Sequence, residues 1–98
     1  MNYYALTYHV VDDDVARRAA FREEHLKLAA AMEARGELVL GGALSEPVDA
    51  ALLIFRAANQ SVVEDFVHQD PYVRNGLVVR WEIRPYTVVI GTAYSKES

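Results

Sequence analysis

The chain has 98 residues, of which 52% are apolar and 24% charged, with a net charge of −4 and no cysteine. This balance suits one folded core rather than disorder or two domains, and the missing cysteine excludes disulfides, thiolate nucleophiles and Cys-ligated metal or iron–sulfur sites. The acidic charge lacks the field that phosphate backbones require, and no stretch reaches the roughly 20 apolar residues of a membrane helix, so the expectation is a single cytoplasmic domain over residues 1–98 with no nucleic-acid or membrane partner.

Tyr3 to Val11 is rich in Tyr, Val, Leu and Thr and reads as a first strand that stops at Asp12-Asp13-Asp14. The triplet reads as a solvated turn and helix start rather than a metal site. Val15 to Arg35 carries Ala, Leu, Glu, Arg and Lys, with Gly36 as its stop, and is expected to form one long helix. Phe21, His25, Leu28 and Met32 recur at spacings of four, three and four, so they share the face that rests on the sheet.

Glu37 to Leu44 reads as a second strand interrupted at Gly41-Gly42, and Ser45-Glu46-Pro47 turns the chain into the third strand, Ala50 to Phe55. Ser61 and Glu64 have capping-box spacing before a short helix with Val62, Val63, Phe66 and Val67 on its apolar face. Asp70-Pro71 should end that helix. From Leu77 to Arg84, the residues Leu77, Val79, Trp81 and Ile83 alternate with Val78, Arg80, Glu82 and Arg84, which predicts a fourth strand with Trp81 as a packing residue. Thr87 to Ile90 could extend the sheet or reach a partner, and Ser95 to Ser98 read as a frayed end.

The order is β-α-β-β-α-β, which gives an α+β, ferredoxin-like four-stranded antiparallel sheet with both helices on one face. Both alternating sets of the third strand, Ala50/Leu52/Ile54 and Ala51/Leu53/Phe55, are apolar. The side away from the helices therefore also needs cover, and a second copy of the chain, as homodimer or higher homo-oligomer, is the expected partner.

Arg22-Glu23-Glu24-His25-Leu26 on the first helix, Leu40-Gly41-Gly42-Ala43-Leu44, Asp70-Pro71-Tyr72, Gly76-Leu77 and Trp81-Glu82-Ile83-Arg84-Pro85 follow one another along the chain. In this order and at these separations they resemble the YCII-related (YciI-like) family. The resemblance implies a dimeric α/β barrel with a cleft holding a paired His and Asp, matched here by His25 and Asp70. It also implies elimination or isomerisation chemistry on a cyclic, oxygenated small molecule. The sequence departs from the pattern at Ala43, where the family usually has proline, and in a shorter turn around Ser45 to Asp49, both near the expected pocket mouth.

Read from the residues themselves, His25 is the best acid/base candidate, because its imidazole exchanges a proton near neutral pH from within an apolar stripe. Asp70 could fix its tautomer, or could simply cap the end of its helix through a turn before Pro71. Arg22 could bind an anionic or phenolate oxygen, or pair with a neighbouring Glu. Gly41 and Gly42 would let a ligand approach closely, or serve a bulge. Tyr8, Tyr72, Phe55 and Trp81 could wall an aromatic-sized pocket. His9, His68 and His25 share no helical ligand spacing, so neither metal nor cofactor is expected.

The expected assignment is His25 and Asp70 as catalytic residues, with Arg22, Gly42, Leu44 and Tyr72 binding an unknown small molecule. Two other readings use the same residues: a non-catalytic dimeric module that binds a small molecule or protein in the same cleft, and a buried His–Asp pair that only fixes helix packing.

Overall fold

The computed structural model describes residues 2–91. Strand β1 (Asn2–Val10) is central, and its alternation sets the two faces of the sheet: Tyr4, Leu6 and Tyr8 are buried toward the helices. Next come a one-turn α1 (Asp14–Arg17), a 3-10 turn (Arg18–Ala20) and α2 (Arg22–Ala34). Strands β2 (Leu38–Ala43) and β3 (Ala50–Ala57) form a hairpin. Helix α3 (Gln60–Gln69), a one-turn α4 (Pro71–Arg74) and β4 (Val78–Tyr86) complete the fold. The sheet runs β2-β3-β1-β4 with every pairing antiparallel, the ferredoxin-like α+β arrangement. Phe55, Phe66, Val63 and Val67 join the β1 residues and Met32 in the core, where the Phe55 and Phe66 rings meet edge to face at 5.2 Å.

Several local expectations are corrected. The first helix is not one rod. Phe21, at φ −116° and ψ 1°, leaves the α region, and the Phe21 N–H closes a tighter turn onto the Arg18 carbonyl at 2.9 Å. Ala19 and Ala20 favour a helix and carry no sign of this break in the sequence. The cap of α3 is Asn59, whose Oδ1 accepts from the Ser61 N–H at 3.0 Å, so Ser61 lies inside the helix it was expected to start.

Strand β2 continues through Gly41-Gly42, and its register shift falls between Leu38 and Leu40 instead. Gly41 lies close to β3: a Cβ there would sit 3.3 Å from Leu53 Cγ, a tight contact that the Leu53 side chain would have to relieve. A second shift, between His9 and Val10, pairs Val10 with Val78. It turns Val78 toward the core and leaves Val79 66% exposed, against the simple alternation of the sequence. Trp81 is half-buried beside the core, edge-on to His68.

The sheet face away from the helices is uncovered in the single chain. On it, Leu52 is 40% and Leu40 70% exposed. Thr87 to Ile90 form neither strand nor helix, and Val89 and Ile90 are exposed. Ser95 to Ser98 lie outside the described residues. Among the described residues no helix is long and apolar enough to cross a membrane.

Candidate active site

The site is organised around Asp70, which has no solvent exposure. Its position follows from Pro71: the residue before a proline is driven out of the helical region, and Asp70 is extended at φ −68° and ψ 121°, between α3 and α4. Proline at the first position of α4 is compatible with a helix start, and Oδ1 of Asp70 caps that turn by accepting from the Tyr72 N–H at 3.0 Å. Two distant elements supply the remaining donors. Tyr8 on β1 donates its hydroxyl to Oδ2 at 2.8 Å, and His25 on α2 places Nδ1 2.9 Å from Oδ1.

A buried carboxylate is costly unless its lone pairs are used. Here three donors converge on it. The carboxylate can only accept, so His25 Nδ1 carries a hydrogen, which leaves Nε2 as the basic nitrogen of the neutral ring. Burial above all, then the Asp70 charge and the hydrogen bond to it, push the Tyr8 phenol far above its ordinary range, so Tyr8 acts as a donor and not as a base. The imidazole is clamped from the side by Tyr72, whose ring stacks on it at 4.0 Å and 13°, and by the edge of Phe66 at 6.4 Å.

His25 keeps 15% of its side chain exposed and lines a cleft of about 680 Å³ between α2 and the β2 side of the sheet. Val10, Leu38, Leu53 and Ala29 form its apolar floor. Its polar groups are Tyr8, Asp14, Arg18, Arg22, His25, Glu33 and Tyr72. Burial chiefly raises the Tyr72 phenol above its usual range, and Arg18 and Arg22 work against that shift.

Of the residues singled out from the sequence, His25, Arg22, Gly42 and Tyr72 line the cleft, and Asp70 stands directly behind His25. Leu44 does not line it and is exposed beyond the end of β2. Phe55 and Trp81 are not cleft walls either: Phe55 is fully buried in the core. Asp70 proves to be both a helix cap and the partner of His25, two roles that the sequence presented as alternatives.

Asp14 and Arg18 were missed. Asp14 is only 4% exposed, against its expected place in a solvated triplet, and meets Arg18 at 3.4 Å. Spacings of four, four and three through Asp14, Arg18, Arg22 and His25 would put them on one face of a continuous helix, and all four line the cleft although the helix breaks at Phe21. Among the described residues no group of three or more His, Cys, Asp or Glu side chains is arranged to hold a metal ion.

A model of the YCII-related domain matches residues 1–87. The chain belongs to the YCII-related family. No curated protein matches it. Among solved structures it is similar to 5-chloro-2-hydroxyhydroquinone dehydrochlorinase from Burkholderia phenoliruptrix in complex with 2,5-dihydroxybenzoquinone, at 17% identity and a TM-score of 0.74, over 87% of this chain and 93% of that one. It is also similar to a NIPSNAP domain protein from Burkholderia xenovorans, at 10% identity and a TM-score of 0.56, over 91% and 95% of the two chains. A third similar structure, assigned as an antibiotic biosynthesis monooxygenase from Deinococcus radiodurans, has 17% identity and a TM-score of 0.54 over 93% and 95%. At these identities the likeness is one of fold, shared by proteins of different assigned activities.

Proposed function

We propose that this YCII-related chain is a small enzyme that moves protons on a cyclic, oxygen-bearing substrate, with His25 as general base and acid. The observation that carries the reading is the bridge made by His25, whose Nδ1 is tied to a fully buried carboxylate while the ring lines an open cleft. Asp70 orients the ring and stabilises the imidazolium that forms when Nε2 accepts a proton. The cleft floor is apolar and suits a ring, and Arg18 and Arg22 provide positive charge for a phenolate or enolate oxygen. The dehydrochlorinase of similar fold supports a polyhydroxylated ring as the first substrate class to test.

The test is turnover of 5-chloro-2-hydroxyhydroquinone and of unsaturated lactones, followed by chloride release and ultraviolet absorbance. His25→Gln should lower turnover by about 100-fold or more without loss of fold, and Asp70→Asn should leave partial activity. Wild-type turnover by a folded His25→Gln protein would overturn the mechanism.

The proposal includes a second copy of the chain packed on the far face of the sheet. Leu40 and Leu52 are exposed there on adjacent strands, an apolar surface that a partner would remove from water. Sedimentation at micromolar concentration should give twice the 11.0 kDa chain mass, and a purely monomeric species would refute this part.

A further inference from the structure

The cleft contains a second buried acid that the mechanism above does not use. Asp14 is nine-tenths removed from solvent, lines the same cleft as His25, and has one side-chain partner among the described residues, the Arg18 guanidinium at 3.4 Å. That distance is long for a charge-assisted bond.

The charges around Asp14 have opposing effects. Asp13 beside it disfavours its ionisation, while Arg17 and Arg18 on its own arm and His25 across from it on α2 favour it. Tyr72 on α4 feels the Asp14 charge in turn. Desolvation outweighs these charges and raises the Asp14 carboxyl above its ordinary range, so it keeps a proton to higher pH than an exposed carboxyl would.

We infer that Asp14 is a second proton-exchanging group of the cleft, which delivers a proton to a ring carbon of a phenolic substrate while His25 takes one from a ring hydroxyl. This deepens the acid/base reading and rests on it. In the step, the O–H bond breaks and its electron pair becomes the second bond of a carbonyl. A π pair of the ring forms the new C–H bond with the Asp14 proton. Imidazolium and carboxylate remain and are reset by proton exchange through solvent. Nothing is oxidised or reduced, so the step is a phenol-to-dienone tautomerisation. A substrate with a leaving group on the protonated carbon and a second ring hydroxyl conjugated with it could then lose both: that O–H pair becomes a second carbonyl, the intervening π pair forms a new C=C bond to the carbon, the group leaves with the electrons of its own bond, and the hydroxyl proton passes to the Asp14 carboxylate. Arg18, beside Asp14, would carry the phenolate oxygen.

The test uses hydroxyhydroquinone as probe, under nitrogen in deuterated buffer, with exchange of its ring hydrogens followed by NMR. Wild type should accelerate exchange, and Asp14→Asn should lose about 100-fold of that acceleration. Asp14→Glu should recover part of it. The fall in rate at the alkaline side of the wild-type profile, where Asp14 loses its proton, should be missing from the residual activity of Asp14→Asn.

Exchange by Asp14→Asn within about twofold of wild type, with His25→Gln slow, would overturn the Asp14 role alone and leave His25 as base. Lost exchange accompanied by a lower melting temperature would also overturn it, in favour of a structural role. Wild-type exchange no faster than that of His25→Gln would overturn the acid/base reading itself.

Discussion

Two buried carboxyls, Asp70 and Asp14, neighbour one histidine, and their surroundings differ in kind. Asp70 receives three donors from three elements, at 2.8, 2.9 and 3.0 Å. Asp14 receives one guanidinium at 3.4 Å from its own helical arm. Burial is nearly equal, so it does not distinguish them. The number and geometry of donors do: three donors use the lone pairs of Asp70, whereas Asp14 has one long contact and burial pushes its carboxyl above the ordinary range.

The largest effect expected from this contrast comes from removing the carboxyl that three donors share. Asp70→Ala would leave the Tyr8 hydroxyl, His25 Nδ1 and the Tyr72 N–H without their acceptor, at a cost of about 3–5 kcal/mol, measurable by urea unfolding. A loss under about 1 kcal/mol would mean that the three donors find other partners. Tyr8→Phe removes one donor and keeps the ring, and should cost about 1–2 kcal/mol while the protein stays folded.

Asp14→Asn should act in the opposite direction, with the smallest effect of the series. The folded-state pKa of Asp14 is raised above its ordinary 3.8, so the folded protein binds more protons than the unfolded chain once the pH exceeds that value. Stability then falls as pH rises through the window between the two pKa values. Asparagine is neutral throughout, so the variant should melt higher than wild type at neutral pH, and the difference should vanish below about pH 4, where both states of the wild type are protonated. A variant that melts lower at neutral pH would show that the Arg18 contact outweighs desolvation.

The sequence made the scaffold readable where composition was uniform. The Tyr, Val, Leu and Thr of β1 mark a strand, and β1 pairs with both β3 and β4. It was less readable where a local irregularity shifts the phase, because a register shift at His9/Val10 leaves the composition of β4 unchanged yet exchanges Val78 and Val79 between faces. For the site, spacing could not show that His25 and Asp70 meet across 45 positions; that pairing entered through the resemblance to the YCII-related family. Asp14 was hidden by its neighbours, since Asp12 and Asp13 are exposed as composition suggests while the third member of the run turns inward.

The break at Phe21 divides the wall of the cleft into parts of unequal persistence. Asp14 and Arg18 sit on one turn of α-helix and one of 3-10, each closed by a few short-range bonds, while His25 rides on the 13 residues of α2. Such short turns can open without unfolding the helix that follows. Their amides should exchange with solvent by local fluctuation, well before those of α2 and in the absence of global unfolding. If they do, the break would give the cleft a persistent side that carries the base and a side that opens first.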